Sequence, residues 1–441
     1  MSKPVVAVVG RPNVGKSTLF NKIIGERISI VEDTPGVTRD RIYAEGEWCG
    51  RNFALIDTGG IEPKNMDVIP AQMRAQAELA MDMSDVVLFM VDGKEGLTNS
   101  DIEVAELLRR RSDKVVLCVN KVDKRELPDD FYDFYELGLG EPIPISAANM
   151  LNLGDLLDKL LENLPETEDD GEDEFCKVAV IGKPNVGKSS LINRLLGENR
   201  VIVSDIAGTT RDSIDTPMER NGEKYVLIDT AGIRRRSKVY EDIEKYSVIR
   251  AVAAIERSDV CILMIDASQG LTDQDKKIAG LAHESGKGII VVVNKWDLIE
   301  KGTNTMRDFK NKIKAELAFM SYAPYLFISA KTGQRAFDVL DMAKTVAENC
   351  AMRVSTGQLN SLLQDAIMMK HPPSDKGKSL KIYYVSQVGI KPPLFSFKIN
   401  KRELMHFSYS RYLENKIRDA FGFEGTSIKF VFREKGAKED V

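Results

Sequence analysis

The sequence lacks the clustered cysteines and histidines of metal centres and disulfide frameworks, and it lacks the long apolar runs of membrane spans. Its cysteines are odd in number, scattered and never in C-x-x-C spacing, and its three histidines do not cluster. This pattern predicts reduced, mostly buried thiols and argues against a zinc site or a Ser-His-Asp triad. No apolar run reaches the ~18 residues of a membrane helix. Because the N-terminus leads straight into a strand pattern we expect no signal peptide, and the cysteine pattern predicts a cytoplasmic protein.

Charge is unevenly distributed along the chain, although the net charge is only −5. Seven of the nine residues from Glu166 to Glu174 are acidic, which is typical of a solvated linker. From Arg353 to the C-terminus there are 16 Lys and Arg against nine Asp and Glu, a net of +7 that leaves −12 for the rest. We therefore expect the tail to bind a polyanion.

One stretch occurs twice and organises the rest. Residues 10–17 read GRPNVGKS and residues 182–189 read GKPNVGKS, both matching G-x-x-x-x-G-K-[ST], the P-loop. In this motif glycines let the backbone approach a nucleotide's phosphates, lysine neutralises them, and the serine hydroxyl ligates Mg²⁺. An apolar strand pattern precedes each loop and a helical pattern follows it, as the motif requires.

Further motifs repeat at matching offsets. D-x-x-G begins at Asp57 and again 172 residues later at Asp229, and Thr38 has its counterpart Thr210 at the same offset. N-K-x-D begins at Asn120 and recurs after 174 residues, and the S-A pair at Ser146 recurs after 183. These spacings indicate a domain duplicated in tandem.

The apolar strands alternate with helical segments, which predicts an α/β fold with a mostly parallel sheet flanked by helices in each copy. We predict a first domain over residues 1–164, an acidic linker over 165–175 and a second domain over 176–350. Residues 351–441 lack a P-loop and read helix, strand, strand, helix, strand, an α+β domain with an open sheet.

The motifs assign chemical roles. Ser17, Thr38, Ser189 and Thr210 are predicted Mg²⁺ ligands, with Asp57 and Asp229 acting through water. The N-K-x-D carboxylates Asp123 and Asp297 can accept two hydrogen bonds from guanine, which adenine cannot offer, so the nucleotide is predicted to be GTP. Backbone donors of the S-A segments would complete each base pocket.

The predicted site is the sum of these motifs. GTP-binding residues of the first domain are Gly10, Asn13, Val14, Gly15, Lys16, Ser17, Thr18, Asp57, Gly60, Asn120, Lys121, Asp123, Ser146 and Ala147. Those of the second are Gly182, Asn185, Val186, Gly187, Lys188, Ser189, Ser190, Asp229, Gly232, Asn294, Lys295, Asp297, Ser329, Ala330 and Lys331. The predicted catalytic residues are Asn13, Thr38, Gly60, Asn185, Thr210 and Gly232.

With these motifs the whole chain resembles the Der (EngA) GTPases of bacteria. The resemblance implies two tandem Era-like P-loop GTPase domains, a C-terminal KH-like domain and a role in assembly of the 50S ribosomal subunit, with its rRNA as partner. We expect a monomer that does not bind membranes. Ser146-Ala147-Ala148 departs from the usual S-A-K, which leaves the base affinity of the first domain open.

Neither copy has the glutamine that commonly orients the attacking water in GTPases. Many GTPases place glutamine after D-x-x-G, but this chain has Ile61 and Ile233, which predicts slow intrinsic turnover. The resemblance implies a substitute, because Asn13 and Asn185 look like the asparagines that help bind K⁺ in cation-activated relatives. The alternative is that these asparagines only shape the loop.

Three other interpretations stay open. The missing glutamine also permits a GTP-dependent RNA-binding scaffold in which hydrolysis is incidental, while the absence of a lipidation motif argues against a membrane-associated GTPase. The basic run from Arg234 to Arg236, with Lys238, is either a switch element or a solvated face. Gly422–Gly425 matches the GXXG of RNA-binding KH domains, but its place between a helix and a strand and its Glu424 favour a structural turn.

Overall fold

The computed structural model describes residues 3–25, 43–58, 69–124, 127–165, 175–197, 202–203, 215–229, 244–375 and 378–434. The chain forms two compact units. One contains Ser2–Asp173 with Ser237–Arg257, and the other contains Glu174–Arg236 with Ser258–Val441.

The first unit is built on a six-stranded sheet in the order β2-β3-β1-β4-β5-β6. Its strands are β1 (Val5–Val9), β2 (Tyr43–Trp48), β3 (Arg51–Asp57), β4 (Val86–Asp92), β5 (Val115–Asn120) and β6 (Ile143–Pro144). Among the described strand pairs of this sheet, only β2–β3 is antiparallel. β1, β4 and β5 consist of buried residues throughout, because a parallel sheet has helices on both faces.

The helices of this unit pack on both faces of the sheet. They include α1 (Lys16–Gly25), α2 (Ile69–Met83), α3 (Asn99–Leu108) and α4 (Leu153–Asn163). Alternate residues of one strand serve the two faces, so Leu88 joins the apolar cluster with α1 and α4 while Phe89 joins the one with α2 and α3. A 3₁₀ segment, Asp129–Leu137, packs Phe131 and Phe134 into the second cluster.

The second unit repeats this plan in a seven-stranded sheet of order β13-β12-β11-β7-β10-β9-β8. Its strands are β7 (Cys176–Ile181), β8 (Ile202–Val203), β9 (Thr216–Arg220), β10 (Glu223–Ile228), β11 (Val260–Asp266), β12 (Gly288–Asn294) and β13 (Tyr325–Phe327). The β9–β10 hairpin turns at Asn221 and Gly222, whose φ of 55° and 82° is left-handed, as an Asn-Gly hairpin turn requires.

The helices that follow in chain order are α5 (Lys188–Leu196), α6 (Glu244–Arg257), α7 (Asp273–Glu284), α8 (Thr305–Glu316) and α9 (Asp338–Ala351). Of these, α6 falls in the first compact unit. There the Tyr43 hydroxyl donates to Glu256 Oε1 at 2.7 Å. The two sheets flanked by helices confirm the predicted α/β class.

The tail, also in the second unit, has its own apolar core. Its elements are α10 (Thr356–Met369), the short strands β14 (Ser374–Asp375) and β15 (Lys378–Ser379), then β16 (Ile382–Gly389), β17 (Leu394–Ile399), α11 (Phe407–Phe421) and β18 (Lys429–Glu434). β17 pairs antiparallel with β16 and parallel with β18, giving the predicted open sheet. The sequence analysis missed β14 and β15, which lie between the first helix and the first predicted strand of the tail and pair through two residues each.

Among the described residues, none of the helices is long and apolar enough to cross a membrane. No disulfide joins any of the five cysteines, all of which lie in the described residues, and three of them, Cys118, Cys261 and Cys350, are buried. Burial raises the pKa of the Cys350 thiol to about 11 and raises that of Cys118 further. The thiols of Cys350 and Cys118 are therefore protonated and unreactive at neutral pH. The burial of three of the five cysteines agrees with the mostly buried thiols expected from sequence.

Candidate nucleotide sites

Each predicted phosphate loop connects a central parallel strand to a helix. β1 leads through Gly10–Gly15 into α1, and β7 leads through Gly182–Gly187 into α5. The last glycine of each loop has a φ of 101°, and a Cβ there would overlap the side-chain amide of Asn120 or Asn294. Glycine is therefore required for both its left-handed backbone and its lack of a side chain.

The loop asparagines have the same conformation in both copies. Asn13 has a φ of 65° and Asn185 a φ of 62°, a region that asparagine tolerates better than most residues. Both side chains are exposed, and neither has a hydrogen bond or ion pair with another described residue. Their backbone shapes the loop while their amides remain available to a ligand.

The P-loop lysines curl over their own loops. Lys16 Nζ donates to the carbonyls of Gly10 and Arg11, both at 2.6 Å, and Lys188 Nζ donates to those of Gly182 and Lys183, both at 2.7 Å. The ammonium is thus held over the concave backbone, where phosphate oxygens would lie.

The second residue of each loop is tied to a neighbouring helix, a contact that sequence analysis missed. Arg11 donates to Asp101 Oδ1 at 3.0 Å and to Glu95 Oε2 at 2.9 Å. Asp101 also forms the capping box of α3 with Thr98. In the second copy Lys183 Nζ donates to Gln269 Oε1 at 2.7 Å, beside the matching capping box of Thr272 and Asp275.

The predicted Mg²⁺ ligand Ser17 lies next to the D-x-x-G aspartate. Its hydroxyl donates to Asp57 Oδ2 at 3.1 Å, at the end of β3. A hydroxyl and a carboxylate converging beside the phosphate loop are oxygen donors of the kind that Mg²⁺ prefers. In the second copy Ser189 and Asp229 occupy the same places on α5 and after β10, and the Asp229 amide donates to Asp215 Oδ1 at 3.0 Å.

The first residue of N-K-x-D connects two loops. Asn120 donates through Nδ2 to the Val14 carbonyl at 2.7 Å and accepts at Oδ1 from the Ala147 amide at 2.9 Å. Asn294 makes the same bonds, to Val186 at 2.7 Å and from Ala330 at 2.9 Å. The asparagine therefore joins the phosphate loop to the S-A segment, a structural role that the motif alone did not reveal.

The lysine of N-K-x-D pairs with an aspartate that sequence analysis did not single out. Lys121 Nζ lies 2.5 Å from Asp92 Oδ2, and Lys295 Nζ lies 2.6 Å from Asp266 Oδ2. Burial raises the pKa of Asp92 and of Asp266, but the hydrogen bonds from lysine and from the residues that follow outweigh this effect. The net pKa of each aspartate is lowered, so both stay ionised. A signal existed, because both aspartates end an apolar strand and are 174 residues apart.

The S-A turns are alike in backbone and differ in side chains. Ser146 Oγ accepts from the Asn149 amide at 3.3 Å, and Ser329 Oγ accepts from the Thr332 amide at 3.2 Å. Ser146 also donates to Asp123 Oδ1 at 2.7 Å. Lys331, the lysine that Ala148 replaces in the first copy, is exposed, and its carbonyl accepts from Arg194 at 2.8 Å.

Some predicted residues lie outside the described residues. They are Thr38, Gly60, Thr210 and Gly232, together with Ile61, Ile233 and the basic run at 234–238. The other predicted residues of each domain converge at the carboxyl ends of the parallel strands, as expected for an α/β sheet.

The GXXG segment of the tail contacts protein through its backbone. The Gly425 amide donates to the Tyr322 carbonyl at 2.9 Å, and its carbonyl accepts from the Ile289 amide at 2.7 Å. Asn349 Nδ2 donates to the Glu424 carbonyl at 2.8 Å. The favoured interpretation as a structural turn agrees with these bonds, since they occupy the backbone of Glu424 and Gly425.

The basic residues of the tail divide into two groups. Arg418 donates to Glu414 and to the carbonyls of Phe423 and Thr426, and its guanidinium lies 4.6 Å from the centre of the Tyr322 ring. Lys429 donates to the Glu284 carbonyl at 3.1 Å. Most of the others, including Lys381, Lys401 and Arg433, are exposed.

Models of known protein families match the chain. A family model described as "50S ribosome-binding GTPase" matches residues 5–121 and 177–295. A second, the KH-domain-like C-terminal region of EngA bacterial GTPase enzymes, matches residues 353–433. Both matches agree with the repeat found in the sequence and with the separate fold of the tail.

Relatives match over the whole length. GTPase Der of Alkaliphilus oremlandii is 62% identical over 440 residues, 100% of both chains. GTPase Der of Clostridium tetani is 61% identical over 436 residues, 99% of this chain and 100% of that one. A solved structure of Era with MgGDPNP and a 16S rRNA segment is 20% identical, with a TM-score of 0.30, and covers 59% of this chain and 93% of that chain.

Proposed function

The chain belongs to the GTPase Der family and hydrolyses GTP to GDP and phosphate, and from this premise we propose that it is a GTP-driven switch in maturation of the 50S ribosomal subunit. The family description names a 50S ribosome-binding GTPase, which supports a ribosomal partner. The observation that carries the proposal is the nucleotide cradle built twice, with each asparagine, Asn120 and Asn294, joining phosphate loop to base loop.

In the proposed mechanism the P-loop amides and lysine hold the phosphates, and the N-K-x-D carboxylate reads guanine. Ser17 with Asp57, and Ser189 with Asp229, would hold Mg²⁺, with Thr38 and Thr210 as further ligands. The fit rests on the hydroxyl and carboxylate oxygens that meet beside the first loop. Bound Mg²⁺ supplies positive charge to the phosphates, and the residues fix where those phosphates lie.

A monovalent cation is the proposed activator. Isoleucine at positions 61 and 233 cannot orient water, so charge at the phosphates must come from elsewhere. Asn13 and Asn185 present exposed amides with no partner among the described residues, which fits a K⁺ ligand. In this proposal the loop-shaping and ion-binding roles coexist, because the left-handed backbone sets where each amide points.

We place rRNA binding on the exposed basic residues of the tail. Phosphate contacts release counterions, so binding should weaken as salt rises. Lys381, Lys401 and Arg433 belong to this surface, whereas Arg418 and Lys429 already bond to protein groups. In this proposal part of the basic charge holds the tail in place, and the larger part is available to a polyanion.

Sedimentation with purified ribosomal subunits tests the proposal. The full chain should bind 50S particles with GTP or a non-hydrolysable analogue and release them with GDP. Binding that is the same in all three nucleotide states would favour the alternative, a scaffold in which hydrolysis is incidental. Lys381→Ala with Lys401→Ala should weaken 50S binding and reduce its salt dependence, while the matched change Lys159→Ala in the first domain should do neither.

A further inference from the structure

The base-reading carboxylate of the first domain has partners on both oxygens. Asp123 Oδ1 accepts from Ser146 Oγ at 2.7 Å and from Asn149 Nδ2 at 3.1 Å. Oδ2 lies 2.6 Å from the ammonium of Lys94. Lys94 is in the loop after β4, where its own amide donates to Asp92 Oδ1 at 2.9 Å. The same loop therefore contacts both acidic residues around the base site.

The second domain lacks this arrangement. Asp297 makes no hydrogen bond or ion pair within the part of the chain that the structure describes. Ser268 stands at the position of Lys94, and its short side chain donates to Asp266 Oδ1 at 2.6 Å instead. Thr332 stands at the position of Asn149, so no side-chain amide is offered there. Similar backbones thus hold the two carboxylates in different electrostatic surroundings.

Guanine needs both oxygens of such a carboxylate, one for the ring N–H and one for the exocyclic amine. We propose that Lys94 sets the guanine affinity of the first site by competing with the base for Asp123 Oδ2, so that the first site binds guanine nucleotides more weakly than the second. This inference rests on the proposed reading of guanine by Asp123 and Asp297. The first domain has Ala148 where S-A-K has a lysine, and in this proposal the lysine beside its base pocket is Lys94, from the loop after β4.

The expected effect is small, because the pair is accessible to water. The Lys94 side chain is 64% exposed and that of Asp123 35% exposed. An ion pair so exposed contributes little, and its removal should change affinity by about two- to fivefold. The hydrogen bond from Lys94, followed by the one from Ser146, lowers the pKa of Asp123, so this carboxylate is ionised at neutral pH.

The test uses the full chain with one site reassigned. In an Asp297→Asn background, which should turn the second site toward xanthine nucleotide, a fluorescent GDP reports on the first site. Lys94→Ser, which installs the second domain's residue, should tighten GDP binding there about two- to fivefold at low salt, with less gain at high salt. Lys159→Ser, which removes an exposed lysine paired with Glu162 in the same domain, should leave the GDP affinity unchanged.

The reciprocal exchange completes the test. In an Asp123→Asn background, Ser268→Lys should weaken GDP binding at the second site by a similar factor. Unchanged or weaker GDP binding in Lys94→Ser would overturn the proposal, weaker binding showing that Lys94 supports the pocket. Failure of the base reading is separate: Asp123→Asn or Asp297→Asn would then not exchange GDP for its xanthine analogue, whatever residue occupies position 94.

Discussion

Replacing Asn294 with alanine removes a side chain that joins the phosphate loop and the base loop of the second domain. The Asn294 side chain is 2% exposed, donates to the Val186 carbonyl and accepts from the Ala330 amide. The substitution leaves both of these buried backbone groups without their partner. It also opens space beside Gly187, whose missing Cβ leaves room for the Asn294 amide.

The cost follows from the two groups left unpaired. Each buried backbone group without a partner costs about 1–3 kcal/mol, and water entering the space offsets part of this, so we expect about 2–4 kcal/mol of local stability to be lost. The Ala330 amide should then exchange its hydrogen roughly 30- to 700-fold faster than in the wild type. GDP binding at the second site should weaken as well, because the phosphate loop loses its attachment.

Hydrogen exchange measured by mass spectrometry on the full chain provides the assay, since a peptide spanning residues 329–334 reports the change locally. Asn304→Ala is the matched control, because Asn304 is exposed and its side chain does not cap α8. Exchange within threefold of the wild type in Asn294→Ala would refute the reasoning, as it would show that the two bonds do not hold these loops together.

Three further predictions concern the base, the cation and pH. Asp297→Asn should shift the second site from guanine toward xanthine nucleotide, checked by competition binding; an unchanged preference would mean that Asp297 does not read the base. Turnover in KCl should exceed that in NaCl at equal ionic strength, and Asn185→Ala should reduce the difference; equal rates would exclude the proposed cation. Burial, together with Lys429 and Arg418, lowers the pKa of His283 to about 4 from 6.5, so the unfolded state binds more protons between these values. Unfolding free energy should therefore fall as pH drops from 6.5 toward 4, more steeply than in His283→Gln, and parallel urea-midpoint curves would contradict this.

The repeat, the sheets and the site motifs could be predicted because their signals are local. Buried strands such as Val86–Asp92 are continuous apolar runs, and the loops that follow them carry fixed residue types at fixed spacings. The helix–strand order of the tail followed from the same periodicity. The backbone turn at Asn221-Gly222 could be predicted for a different reason, because few residue pairs adopt two successive left-handed conformations.

Contacts between distant segments could not be predicted. The repeat singles out Asp92 and Asp266 as matching residues, but it does not identify Asp92 as the partner of Lys121. Lys94 has no such signal, and only the fold shows that it lies beside Asp123. Arg418 is one of the basic residues that give the tail its net charge of +7. Its guanidinium nevertheless bonds to Glu414 and to two backbone carbonyls. Counting charged residues gives the sign of a domain's net charge, whereas the direction in which each side chain points depends on tertiary packing.

The docking of the turn at Gly425 on the start of β12 has a consequence for the order of the domains. Gly288 begins that strand, lies opposite Thr426 and has no room for a Cβ beside Val346 and Cys350. The corresponding residue of the first copy is Lys114, whose side chain would occupy the space that Gly288 leaves open. The duplicated domains are therefore not interchangeable along the polypeptide. A chain in which the two duplicated domains exchanged places would keep both nucleotide sites. The strand next to the tail would then begin with a lysine, and the turn at Gly425 could not pack on it.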